Sequence, residues 1–179
     1  MMNYRKILGA LLLIAVSASG LFAAAAKKST IVYTIKGNVE DRFYTMMDEP
    51  VKALGYRLPD PRKHVNQVYK EQYGSTTLEV LSFMTIVNDK GVKPLLEIDP
   101  KLAGFNPFNL VIYKHQGKDE SVISHLTAEA IIEMLGITDQ KVIAEYTKLM
   151  EELDGLIAKT FPDAVVSHGM YEGAVENAM

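Results

Sequence analysis

The chain of 179 residues carries four histidines, nine methionines and no cysteine or tryptophan. Any chemistry it performs must come from imidazole, thioether, hydroxyl and carboxylate groups. Without thiols it has no disulfides, no iron–sulfur ligation, no covalent haem attachment and no thiol nucleophile. His125 is the best-placed histidine, near the end of an extended segment and just before a helix that Thr127 can cap. Neutral imidazole and thioether are donors suited to haem iron or copper. His125 with Met84 and Met134 is therefore the candidate metal set, provided the three share a cavity; the plainer alternative is a hydrogen-bonded histidine at a strand end. His64 and His115 fall in a turn region and a hairpin loop, where exposure is the default, and His168-Gly169-Met170 is a short His/Met pattern in the C-terminal tail. Met46 and Met47 read as core methionines on a buried helical face.

The motifs of known catalytic centres are missing from the sequence: there is no phosphate-cradling glycine loop, nucleophile elbow, zinc helix or EF-hand spacing. Asp119-Glu120 lies in a hairpin loop and Glu151-Glu152 on a helix flank, where carboxylates are usually solvated. With 19 Lys and Arg against 22 Asp and Glu, and no basic run after the first residues, nucleic acid is not an expected partner. The expectation is a non-catalytic binding module for a small ligand, haem or metal, with Tyr33, Phe83, Phe108, Tyr113 and His125 as pocket candidates. A structural or assembly protein, acting as a homodimer or beside a redox partner, is the alternative.

These residues depend on elements that the periodicity defines. Thr30 to Ile35 alternates as a strand, and Val39, Phe43, Met46, Met47, Val51 and Leu54 recur at helical spacing, with Asn38 as cap, Gly55 as stop and Pro50 as a break. Tyr56 to Leu58 reads as a short strand, Pro59-Asp60-Pro61 as a rigid turn, and Lys63 to Tyr73 as a helix closed by Gly74. Leu78 to Val87 is a strand, and Val92 to Ile98 a short helix with Pro94 in its first turn. Phe108 to Lys114 and Ser121 to Leu126 form a hairpin; helices follow over Ala128 to Leu135 and, capped by Thr138, through the Val142 to Ile157 stripe. That order predicts a single α/β domain with a mixed sheet and helices mainly on one face.

The ends carry an address. Arg5 and Lys6 precede an uncharged run from Ile7 to Ala26 that closes in four alanines, the layout of a signal peptide cleaved near Ala25-Ala26. This predicts a periplasmic protein with no membrane span after cleavage; an uncleaved N-terminal anchor is the alternative. The expected organisation is residues 1–26 signal, 27–29 linker, 30–161 domain and 162–179 flexible tail.

One series of spaced blocks resembles a known family. Leu95-Leu96-Glu97-Ile98-Asp99-Pro100, then Gly104, then Asn106-Pro107-Phe108-Asn109 leading into Leu110-Val111-Ile112-Tyr113, is similar to the signature of the DUF302 (TT1751-like) family, over roughly Ile31 to Ile137. The resemblance implies a small α/β domain that tends to dimerise, with no established activity. Many members carry cysteines where this chain has Ile86-Val87-Asn88 and Pro107-Phe108-Asn109, so a thiol role does not transfer. The signature residues Asp99, Pro100, Gly104, Pro107 and Asn109 have a structural explanation: a helix stop, a left-handed glycine and a lead into the central strand.

Overall fold

Alternating and helical patterns along the chain resolve into β1 (Lys27–Lys36), α1 (Glu40–Met47), α2 (Glu49–Ala53), β2 (Arg57–Arg62), α3 (Val65–Tyr73), β3 (Leu78–Val87) and α4 (Asp89–Leu96). A 3₁₀ helix (Pro100–Phe105), β4 (Phe108–His115), β5 (Glu120–Leu126), α5 (Ala128–Met134), α6 (Gln140–Thr160) and β6 (Val165–Tyr171) complete it. The structure, a computed structural model, describes residues 27–171; the expected signal peptide and residues 172–179 lie outside the described residues. Among the described residues, no helix is long and apolar enough to cross a membrane.

The strands form one sheet in the order β2-β3-β4-β5-β1-β6. The class is α/β as expected, but every ladder is antiparallel where the element order had suggested a mixed sheet. Tyr33, Ile35, Met84, Ile86, Leu110, Ile112 and Ile123 project from one side of the sheet into a core with Phe43, Leu102, Ile131, Tyr146, Leu153 and Ile157 of the helical segments. Leu81, Phe83, Val111, Tyr113 and Val122 alternate with these and point to the other side, outside that core.

Several boundaries moved for local reasons. Pro50 divides the first helical pattern as expected, since it sits in the first turn of α2, where its missing amide proton is least costly. Pro59-Asp60-Pro61 is not a turn; it belongs to β2, an edge strand whose ladder to β3 shifts register between Arg57 and Asp60. Edge position and irregular pairing are what let a strand hold prolines. Asn88 starts α4 by accepting from the Gly91 amide at 2.9 Å, which places Pro94 inside the helix rather than in its first turn. Asp139, not Thr138, caps α6, accepting from Lys141 and Val142 at 3.0 Å each.

The expected linker and tail are also corrected. Lys27 pairs with Tyr171, and Tyr33 with Val166, so residues 27–29 extend β1 and residues 165–171 form a sixth strand. β6 was hard to read because Val165, Val166 and Met170 are all exposed, leaving no buried alternation to betray it.

Candidate functional site

The pocket residues expected from sequence do not converge. Tyr33, Phe108 and His125 lie on the helix-covered side of the sheet, Phe83 and Tyr113 on the other, because they occupy opposite phases of the strands. The proposed metal donors are separated too. Met84 pairs with Leu110, whose row continues to His125, so an intervening strand puts the two about 10 Å apart at the backbone. Met84 is fully buried, whereas Met134 at the end of α5 is 53% exposed. His125 keeps no nitrogen for a metal: Nδ1 lies 2.8 Å from the Leu126 carbonyl oxygen and Nε2 2.8 Å from Asp154 Oδ1. The Tyr33 hydroxyl donates to the same carboxylate oxygen at 2.8 Å. These three residues knot β1, β5 and α6 together inside the core, the hydrogen-bonded histidine that was the plainer reading. Among the described residues, no group of three or more His, Asp or Glu side chains is arranged to hold a metal ion.

The family-like signature is structural in its contacts. Asp99 accepts from the Lys101 amide at 3.1 Å and starts the 3₁₀ helix, with Pro100 in its first turn. Gly104 is not left-handed, contrary to expectation; a Cβ there would lie 3.1 Å from the Leu135 side chain, so close packing on α5 is its reason. The Asn106-Pro107 bond is cis, and Asn109 accepts from the Thr85 hydroxyl across the ladder at 2.8 Å.

Concavity and polar convergence occur elsewhere. A cleft of about 850 Å³ opens between the α1–α2 junction, β2 and the middle of β3. Its accessible apolar surface comes from Pro50, Leu58 and Pro61, with Met47 and Met84 buried beneath it, and its rim from Asp48, Glu49, Lys52, Arg57 and Lys63. Lys52 pairs with Asp48 and lies 3.7 Å from Glu49, while Arg57 pairs with Asp89. The Lys52 ammonium holds the Asp48 carboxyl below the usual carboxylate range, with a further contribution from Lys63.

Tyr44, which lines the cleft, is held by a directed chain of hydrogen bonds behind it. The His64 amide donates to Ser82 Oγ at 3.1 Å; Ser82 and the Tyr44 hydroxyl are 2.7 Å apart; Tyr44 donates to Glu40 Oε1 at 2.6 Å. Because Tyr44 spends its proton on Glu40, the Ser82 hydroxyl is the donor to Tyr44. His64 closes the ring, with Nδ1 3.3 Å from Glu40 Oε1 and its imidazole edge-on to Tyr44. Burial, then the Glu40 bond, pushes the Tyr44 hydroxyl up to about 12. The Lys63 ammonium sits 4.4 Å from the Tyr44 ring centroid, a cation over a π face.

His64 has φ of +55°, and among the described residues no other non-glycine side chain has a positive φ. An unfavourable backbone held next to a cleft by surrounding bonds is a mark of sites that need one fixed geometry.

None of Glu40, Tyr44 and Ser82 was singled out from sequence, yet Ser82 had a signal. Within Leu78 to Val87 it shares the phase of Val80, Met84 and Ile86, a polar residue at an inward position that must find partners. Asp154 had a similar one, lying within the apolar stripe of α6 between Leu153 and Ile157.

No protein-family profile and no curated protein matches the sequence. Among solved structures, the chain is similar to the crystal structure of an uncharacterized conserved DUF302 protein from Bacillus stearothermophilus. Identity is 13% and the TM-score 0.61, over 73% of this chain and 97% of that one. At this identity the likeness is one of fold, and the chain has the DUF302 fold.

Proposed function

We propose that this protein is an exported, non-catalytic binding module that holds a small ligand in the cleft between α1–α2, β2 and β3. The observation that carries the reading is the cleft itself: about 850 Å³, within the range of small-molecule sites, with Pro50, Leu58 and Pro61 in its apolar wall, Met47 and Met84 beneath it, and charges at its rim. The Ser82–Tyr44–Glu40 chain supports it, since it fixes the one member that lines the cleft, Tyr44, before any ligand arrives. Export rests on the Arg5-Lys6 start and the uncharged run to Ala26.

The test is native mass spectrometry of protein recovered from the periplasm, with methionine-methyl NMR to locate the ligand. The expected result is a chain that begins near Ala26, carries a small molecule, and shifts the Met47 and Met84 methyl signals when it is removed. Ligand-free protein, or shifts confined to other methionines, would count against the reading.

A second reading is favoured by the open side of the sheet. Phe83, Val111 and Tyr113 lie there half-buried, outside the core, and α3 adds Val68 and Tyr69, exposed at 53% and 41%. A second copy of the chain covers this apolar face in a homodimer. Sedimentation equilibrium checks it: wild type runs as a dimer and Phe83→Glu as a monomer, whereas a monomeric wild type removes the proposal.

A further inference from the structure

We infer that the cleft ligand is an amphipathic anion, with its apolar body against Pro50, Leu58 and Pro61 and its acidic head at Lys63; this rests on the cleft being the binding site. The rim carries three cations, and two are already neutralised by neighbours: Lys52 by Asp48 and Glu49, and Arg57 by Asp89, which it meets through Nε and through Nη2 at 3.2 Å. Lys63 differs. Among the described residues it has no carboxylate within ion-pair distance, and its ammonium rests on the Tyr44 ring instead. The nearby carboxylates are engaged elsewhere, Glu40 by the Tyr44 hydroxyl and His64, and Asp48 by Lys52.

A carboxylate or sulfonate at the cleft mouth meets an ammonium that no ion pair occupies, whereas a cationic head there meets that same ammonium with like charge. The apolar wall excludes a purely polar anion as the best fit, because Pro50, Leu58 and Pro61 give it nothing to hydrogen-bond. Tyr44 holds the ammonium from below, which aligns it without neutralising it. The chemistry required is one acidic group on a body the size of a fused aromatic pair or a medium acyl chain.

Two fluorescent probes separate charge from burial: 1-anilinonaphthalene-8-sulfonate, and its neutral counterpart N-phenyl-1-naphthylamine, which lacks only the sulfonate. Each is titrated into the full mature chain as wild type, Lys63→Gln and Leu58→Trp, with methionine-methyl NMR confirming that the probe meets Met47 and Met84. Lys63→Gln is expected to weaken the sulfonate probe by about fivefold and leave the neutral probe unchanged. Leu58→Trp, which fills the cleft, weakens both. If Lys63→Gln affects the two probes equally or neither, the anion inference is overturned while the cleft stands. If Leu58→Trp leaves both unaffected and the Met47 and Met84 signals do not move, the cleft reading itself fails and the inference with it. Should Leu58→Trp not fold, the Lys63→Gln comparison and the NMR shifts decide both points alone.

Discussion

His125 of β5 and Asp154 of α6 meet 2.8 Å apart, Nε2 against Oδ1, and the other ring nitrogen faces the Leu126 carbonyl at the same distance. Both ring nitrogens thus lie within hydrogen-bond distance of an oxygen, which fixes the imidazole between its own strand and α6. The Tyr33 hydroxyl is a second donor to the Asp154 oxygen. Replacing Asp154 by alanine strands two buried donors, so Asp154→Ala should cost about 2–4 kcal/mol, more than a surface ion pair. A cycle with His125→Phe should return a coupling of about 1–2 kcal/mol in urea unfolding. Additive effects of the two changes would show that the contact contributes nothing beyond packing.

Burial raises the hydroxyls of Tyr33, Tyr56 and Tyr146 well above the ordinary phenol range, with the Asp154 hydrogen bond adding to the effect at Tyr33, and Tyr44 reaches about 12. In the unfolded chain all four ionise near pH 10. Between about pH 10 and 12 the unfolded state thus loses protons that the folded state keeps, and stability falls with rising pH. Their contribution is fully present below about pH 10. A titration at 295 nm is expected to show these four phenols ionising only as far-UV dichroism collapses. Ionisation of all four near pH 10 with the fold intact would contradict it.

The sheet and most helices were legible because their residues alternate or recur around one core: the β3 run from Leu78 and the α6 stripe through Tyr146 and Leu153 carry strong patterns. β6 was not, since its apolar residues are exposed and its pairing with β1 is a contact across more than a hundred residues. The site was less legible still. Expecting Phe83 beside Phe108 ignored strand phase, which sends an odd and an even position to opposite sides of the ladder. Glu40 and Tyr44 stand four residues apart on α1, the spacing of one helical face, but Ser82 belongs to β3, and no spacing rule joins it to them. Only Ser82, a hydroxyl at an inward position, hinted at a polar partner.

Asn88 links the cleft's supporting loop to α4. Its Oδ1 accepts from Gly91 at 2.9 Å, its Nδ2 donates to the Leu54 carbonyl at 3.0 Å, and the residue is 5% exposed. Asn88→Ala should lower stability by about 2 kcal/mol, from a lost cap and an orphaned carbonyl. Asn88→Asp keeps the acceptor but loses the donor, and should cost about 1 kcal/mol. Urea midpoints measured with unchanged slopes check the order; equal losses would mean that the Leu54 bond carries nothing.

His64 offers the sharpest separation of stability from binding. Its φ of +55° costs a side chain with a Cβ about 1 kcal/mol, which glycine does not incur. Its imidazole is 48% exposed, so the contact with Glu40 is worth little in return. His64→Gly should therefore be as stable as wild type or slightly more so. Yet it frees the segment that carries Lys63 over Tyr44, and the sulfonate probe should bind several-fold more weakly. Thermal melting and a probe titration on the same sample read the two effects together. A variant destabilised by more than about 2 kcal/mol would mean that the imidazole, rather than the bonds around it, holds this backbone. Unchanged probe affinity in a stable variant would mean that the left-handed residue has no part in shaping the cleft.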